Sequence, residues 1–177
     1  MAGESDKSPK PADNVRICIN KLLASTGCWE QAMDKTIPPG VELLSLPPSA
    51  TGLPAWRRCR EKARGAADRD RGHAQWAVPA GASNATPRVL YCHGGGFEDH
   101  CPQDTHVRAA IARLADVSGM PVLAFDYRLV PEFRHPAQLM DAVQAFRWIC
   151  GHGPEGPGPA PAVFLSGESS GGNLALA

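Results

Sequence analysis

The sequence predicts an α/β fold in which a parallel sheet is flanked by helices, and three observations carry that reading. From Arg88 onward, short apolar runs alternate with helix-length amphipathic stretches, the signature of strand–helix–strand units whose right-handed crossovers lay strands parallel. One such run, Val163-Phe164-Leu165, passes directly into Gly167-Glu168-Ser169-Ser170-Gly171-Gly172-Asn173 and then into helix-favouring residues. Another, Arg88-Val89-Leu90-Tyr91-Cys92, passes into His93-Gly94-Gly95-Gly96-Phe97.

The chain has 177 residues, 43% of them hydrophobic, which suits one domain with a buried core. Residues 1–14 are polar and rich in Lys, Pro and Ser. They lack the apolar centre of a signal peptide and are expected to form a disordered tail, which points to a cytoplasmic location. Residues 15–85 are expected to form an N-terminal helical entry segment. Within it Val15, Cys18, Ile19, Leu22 and Leu23 recur at helical spacing, with Asp13 as a candidate N-cap and Gly27 as a stop. The proline-rich stretch from Pro38 to Pro54 reads as loop, and a second helix is expected from Pro54 through Trp56 and Cys59. His73 to Pro79 holds a candidate short strand, and Ser83 to Pro87 reads as a turn.

Residues 86–177 carry the alternation. Strand Val89–Cys92 leads through the glycine loop to a helix near Thr105 to Ser118, with an apolar stripe at Val107, Ala110, Ile111, Leu114 and Ala115 and Gly119 as its stop. A strand follows from Pro121 to Asp126. The next helix opens at Pro136 with Leu139, Val143, Phe146 and Cys150 as its expected stripe. Gly151 to Pro161 is a loop returning to the strand before Ser169.

Eighteen basic residues balance eighteen acidic ones, so there is no electrostatic case for a nucleic-acid partner or an anionic membrane surface. No apolar run reaches the length of a membrane span. The six cysteines are widely spaced and form no C-x-x-C pair, which matches neither a zinc site nor a disulfide scaffold. No metal is expected. Free thiols in a reducing compartment are the expected state. Cys92, beside the glycine loop, reads either as a nucleophile or, preferably, as a core residue at a strand end.

Gly167-x-Ser169-x-Gly171 is the pattern of a nucleophile elbow. A serine at a sharp strand-to-helix turn holds its hydroxyl clear of the sheet, and the crowded flanking positions admit only very small residues. Alone it is weak, because with 18 glycines in the chain it arises by accident roughly one time in ten. The other reading is a glycine-rich turn opening a helix. His93-Gly94-Gly95-Gly96 is far more specific, with an accidental frequency under about one in a hundred. Consecutive glycines leave amide N–H groups bare to an approaching oxyanion, and such loops supply oxyanion-hole donors beside the N–H that follows the nucleophile, here Ser170. The bland alternative is a plain flexible turn.

His93 to Phe97, Asp126-Tyr127-Arg128-Leu129-Val130-Pro131-Glu132, and Gly167 to Asn173 occur in the order found in the hormone-sensitive-lipase-like group of α/β-hydrolases, which the chain resembles over roughly residues 86 to 177. The resemblance implies an α/β-hydrolase fold truncated after the nucleophile elbow, with an N-terminal helical cap segment; a simple packing role for those N-terminal helices is the alternative. It implies a serine carboxylesterase or lipase working through an acyl-enzyme on a small-molecule ester, with no cofactor. Ser169 would be the catalytic nucleophile, and Gly94, Gly95, Gly96 and Ser170 the oxyanion hole. Glu168 stands where the group usually has Asp, and Ser170 where it usually has Ala; both changes bear on substrate preference more than on chemistry.

His93, Gly167, Gly171, Arg128, Glu132 and Asp141 are expected to give structural support. His93 would brace the oxyanion loop rather than act as a base, and an arginine with carboxylates near a strand end can lock a loop by paired hydrogen bonds. His100, His106 and His135 are expected to face solvent without a specific role. In this fold the acid and the histidine follow the serine in chain order, yet eight residues follow Ser169 and none is acidic or histidine. The chain is therefore expected to carry the nucleophile without its base and to be close to inert. It is also expected to self-associate through an open sheet edge at Ala162 to Leu165. A non-catalytic small-molecule-binding relative and a stand-alone interaction protein are the alternative classes.

Overall fold

The computed structural model describes residues 15–17, 36–46 and 74–177. The tail at 1–14, residues 18–35 and 47–73 of the entry segment, and with them the helix expected from Pro54, lie outside the described residues. The strands are β1 Val15–Ile17, β2 Val41–Leu46, β3 Ala74–Pro79, β4 Arg88–Cys92, β5 Val122–Phe125, β6 His152–Gly153, β7 Gly156–Pro157 and β8 Val163–Gly167. The helices are α1 Thr105–Ser118, α2 Ala137–Gly151 and α3 Ser170–Leu176.

Six strands form one sheet in the order β1-β8-β4-β5-β3-β2, and β6 and β7 make a small separate hairpin. β1, β8, β4 and β5 run parallel, whereas β3 is antiparallel to both β5 and β2. The sheet is thus mixed, not wholly parallel as expected. β2 was hidden in the sequence because prolines surround it, but Val41-Glu42-Leu43-Leu44-Ser45-Leu46 pairs residue for residue with β3.

Side chains alternate across the sheet, as period-two geometry requires. Leu90, Leu123, Phe125 and Trp76 pack on one face with Ala142, Ala145 and Ile149 of α2 and Leu174 of α3. Val89, Tyr91, Val122 and Ala124 pack on the other with Val107, Ile111 and Ala115 of α1. α1 ends as expected, at Gly119 with φ 66°, its N–H on the Ala115 carbonyl.

Three further expectations are corrected. The helix read over Asn14 to Ser25 gives way, at Val15–Ile17, to a strand parallel to β8, in register Val15 with Val163 and Ile17 with Leu165. A strand there gives main-chain partners to that side of β8. The open edge expected at Ala162 to Leu165 is accordingly occupied. The stripe expected on α2 packs against the core at Leu139, Phe146 and Cys150, but Val143 departs from it and the most buried positions lie beside it. Gln138, Asp141, Ala142, Ala145 and Ile149 are buried, while Val143 is exposed. Polar partners outside the helix bring Gln138 and Asp141 into the buried face: Gln138 Nε2 donates to the Phe133 carbonyl, and Asp141 binds Arg128.

Arg88 at the start of β4 is fully buried, and its guanidinium donates to the carbonyls of Ile149, Gly158 and Asn84. It fastens the end of α2 and the following loop to the sheet. Arg88→Met keeps the volume but leaves those carbonyls unpaired, so urea unfolding should show a loss of about 3 kcal/mol; a loss below about 1 kcal/mol would mean that water or backbone movement satisfies them.

Candidate active site

Ser169 sits where β8 ends and α3 begins, with φ 52° and ψ −121°. A positive φ in a non-glycine residue is strained and persists only where its surroundings impose it. Those surroundings are two glycines. A Cβ on Gly167 would lie 2.3 Å from the Gly171 carbonyl oxygen, and one on Gly171 would lie 2.1 Å from the Cys92 oxygen and 2.3 Å from the His93 oxygen. No side chain fits at either position, so α3 starts pressed against the end of β4. Because β4 and β8 are adjacent and parallel, pairing Cys92 with Gly167, both glycine motifs leave the sheet at one end.

The structure brings Gly94 against the serine: a Cβ there would lie 3.4 Å from Ser169 Cβ and 3.1 Å from the Glu168 oxygen. Gly95, with φ 105°, faces the loop itself, since a Cβ on it would meet the Asp99 oxygen at 2.2 Å; its carbonyl accepts from the N–H groups of Glu98 and Asp99. Gly96, with φ 65°, stands open. Ser170 is the first residue of α3, a position whose N–H has no intrahelical acceptor. Ser169 is exposed.

His93 is buried to 0% exposure. Its Nδ1 lies 2.8 Å from the Gly94 carbonyl, which makes Nδ1 the protonated nitrogen. Its ring stacks on Tyr127 at 4.2 Å, and the Tyr127 hydroxyl donates to the His93 carbonyl at 2.6 Å. Burial outweighs that hydrogen bond and lowers the His93 pKa to about 4. The imidazole is neutral at pH 7, held by Gly94 at Nδ1 and by stacking on Tyr127, which makes the residue a brace. Tyr127 was missed as a site residue; the available signal was a tyrosine at the end of a buried strand, whose hydroxyl must find an acceptor.

Cys92 is 1% exposed, and burial pushes its thiol up to about 12, so it is a core residue and not a nucleophile. Tyr91 Oη donates to Glu168 Oε2 at 3.4 Å. Arg128 donates from Nε and Nη2 to both oxygens of Asp141 and from Nη2 to the Ala137 carbonyl, while its backbone N–H also reaches Asp141. This pair ties the loop after β5 to α2. Glu132 is exposed and stands outside that pair. A groove of about 560 Å³ lined by Gly40, Val41, Pro79 and Gly81 lies at the β2–β3 edge of the sheet, away from the serine.

Residues 89–177 match the family model described as alpha/beta hydrolase fold. An acetyl-hydrolase of Streptomyces hygroscopicus is 39% identical over 59% of this chain and 32% of its own length. Among solved structures, an esterase of Pyrobaculum calidifontis superposes with a TM-score of 0.57 at 30% identity, over 80% of this chain and 39% of the esterase. An esterase from the bacterial hormone-sensitive lipase family superposes with a TM-score of 0.55 at 27% identity, over 79% and 38%. The chain thus spans about a third of the length of the curated relative and under half of either esterase. Among the described residues no helix is long and apolar enough to cross a membrane.

The lowered His93 pKa has a sign that can be measured. The unfolded histidine takes up a proton near pH 6.5 and the folded one only near 4, so between those values the unfolded state binds more protons and stability falls as the pH drops. Wild type should lose on the order of 3 kcal/mol more than His93→Asn between pH 7 and pH 4 in urea melts. Equal losses would mean that His93 titrates normally.

Proposed function

The chain belongs to the alpha/beta hydrolase fold family, in its hormone-sensitive-lipase-like group, and from that premise we propose that it carries the nucleophile and oxyanion-hole part of a serine carboxylic-ester hydrolase. The observation that supports this reading best is an exposed serine hydroxyl held at a strained corner with the Gly94 backbone packed against it. Ser169 Oγ attacks the ester carbonyl carbon and gives a tetrahedral oxyanion. The N–H of Ser170 and those of Gly94–Gly96 donate to that oxygen; each such donor is worth about 3 kcal/mol in the transition state. Collapse expels the alcohol and leaves an acyl-serine, which water then hydrolyses.

The attack needs a base to take the Ser169 proton. His93 does not serve, because its Nδ1 is committed to Gly94 and its pKa is low. It positions the loop, with Tyr127 holding its carbonyl. Arg128 and Asp141 anchor the neighbouring loop after β5 in the same way, and Gly167 and Gly171 permit the elbow. The acid and histidine of this fold come after the serine in the chain, so the 177-residue polypeptide by itself is proposed to be close to inert. The substrate class is a small ester, and acetyl or another short acyl group is favoured by the kinship with an acetyl-hydrolase. Among the described residues the thiols of Cys92 and Cys150 are free, in keeping with the proposed reducing, cytoplasmic setting.

With a short activated ester such as p-nitrophenyl acetate, the 177-residue polypeptide should show the same rate as its Ser169→Ala variant. A longer chain that supplies later strands with an acid and a histidine should hydrolyse the ester and lose at least about 1000-fold on Ser169→Ala. Serine-dependent turnover by the short polypeptide would show that a histidine within it acts as base. A longer chain indifferent to Ser169→Ala would remove the serine from the mechanism.

A further inference from the structure

The segment between the glycine loop and α1 gathers three metal-binding side chains, none of which the ester chemistry uses. His100 lies in the loop, Asp104 immediately precedes α1, and His106 is in its first turn. One ligand atom from each of the three lies within 4.8 Å of the others. His100 Nδ1 is 3.2 Å from Asp104 Oδ2, and the two imidazole rings meet edge to face with centroids 4.2 Å apart.

This spacing can be compared with what an ion requires. With metal–ligand bonds of 2.0–2.1 Å, donor atoms around a tetrahedral ion stand about 3.3 Å apart. The His100–Asp104 pair stands at that separation through a direct Nδ1···Oδ2 hydrogen bond, which a shared ion would replace. The ligand atoms lie no more than 4.8 Å apart, so binding an ion needs at most about 1.5 Å of closure. Asp104 is held for the task, because the Cys101 N–H donates to Oδ2 at 3.3 Å and the Cys101 thiol to Oδ1 at 3.6 Å; such outer contacts orient a ligating carboxylate. Two imidazoles and one carboxylate suit zinc, cobalt or nickel, and are a poor match for calcium or magnesium, which prefer oxygen.

A second, independent set of observations ties the cluster to the glycine loop. His100 has φ 76°, an unfavourable backbone state for histidine. That conformation sets its ring on Gly95, where a Cβ would lie 2.8 Å from His100 Cδ2. Behind the loop, the buried Nε2 of His93 has no hydrogen-bond partner.

We propose that His100, Asp104 and His106 bind one divalent transition-metal ion of the zinc class, which fastens the loop from Gly94 to His100 onto the first turn of α1. The ion would act on the rigidity of the loop and takes no part in ester cleavage, so the inference stands apart from the proposed function.

The test uses the untagged 177-residue chain titrated with zinc and with cobalt(II), followed by calorimetry and by cobalt's visible absorption. One ion per chain should bind with a dissociation constant below about 10 µM. His100→Gln and His106→Gln should each weaken binding at least about 30-fold, whereas His135→Gln should leave it unchanged. Asp104→Asn, which keeps an acceptor for the Cys101 N–H, should weaken it as well and guards against a folding defect in the histidine variants. Zinc should slow amide hydrogen exchange over residues 94–104 in the wild type and not in His106→Gln. No binding below about 1 mM, or binding that survives all three ligand substitutions, would overturn the proposal.

Discussion

The carbonyl oxygens of Cys92 and His93 occupy the space that a side chain on Gly171 would fill, and the site depends on that contact. It draws the first turn of α3 onto the end of β4, so Ser169 must turn the chain through a positive φ between them. Gly167 meets the Gly171 carbonyl in turn. Because β4 and β8 are hydrogen-bonded neighbours, the loop that leaves β4 can only emerge beside the serine. Convergence of Gly94 on Ser169 follows from sheet register and two missing side chains, without any ion pair at the centre.

The outer shell serves the same geometry. Tyr127 leaves the end of β5, the next strand along, and reaches back to the His93 carbonyl. Burying His93 against it costs the imidazole its proton affinity, and a neutral ring can donate to Gly94 without bringing a charge under the loop. Arg128 and Asp141 are almost wholly removed from water, with side chains 15% and 3% exposed. A pair so buried is worth little as net stability but is costly to break, which suits it to holding a loop in one place. The glycine loop therefore rests on three successive strand ends.

Much of this was legible in the sequence because most of the motif glycines mark a close approach, Gly96 excepted. Gly167 and Gly171 have backbone within 2.5 Å of where a Cβ would stand, and Gly94 lies against Ser169. The core strands were legible from their apolar runs. What stayed hidden depended on partners distant in the chain. β2 sits among prolines, and only its pairing with β3 shows it to be a strand. The buried face of α2 includes Gln138 and Asp141, polar residues that an apolar stripe cannot reveal. Val15 fits a helical stripe with Cys18 and Ile19 and, with Ile17, an alternating strand, and the pairing with β8 decides between them. The neighbourhood of His100, Asp104 and His106 depends on one left-handed backbone turn at His100, for which histidine gives no sequence signal.

Gly171 is required by contact and not by helix chemistry, and a pair of alanine substitutions separates the two. Gly172 lies one residue further along the same helix, and a Cβ there would be 3.4 Å from the Gly167 oxygen, an ordinary contact. Equilibrium urea unfolding should show Gly171→Ala destabilised by at least about 3 kcal/mol, because backbone carbonyls must move. Gly172→Ala should be neutral or stabilised by up to about 1 kcal/mol through helix propensity. Equal effects of the two substitutions, or a Gly171→Ala variant as stable as the wild type, would contradict the contact on which the site is built.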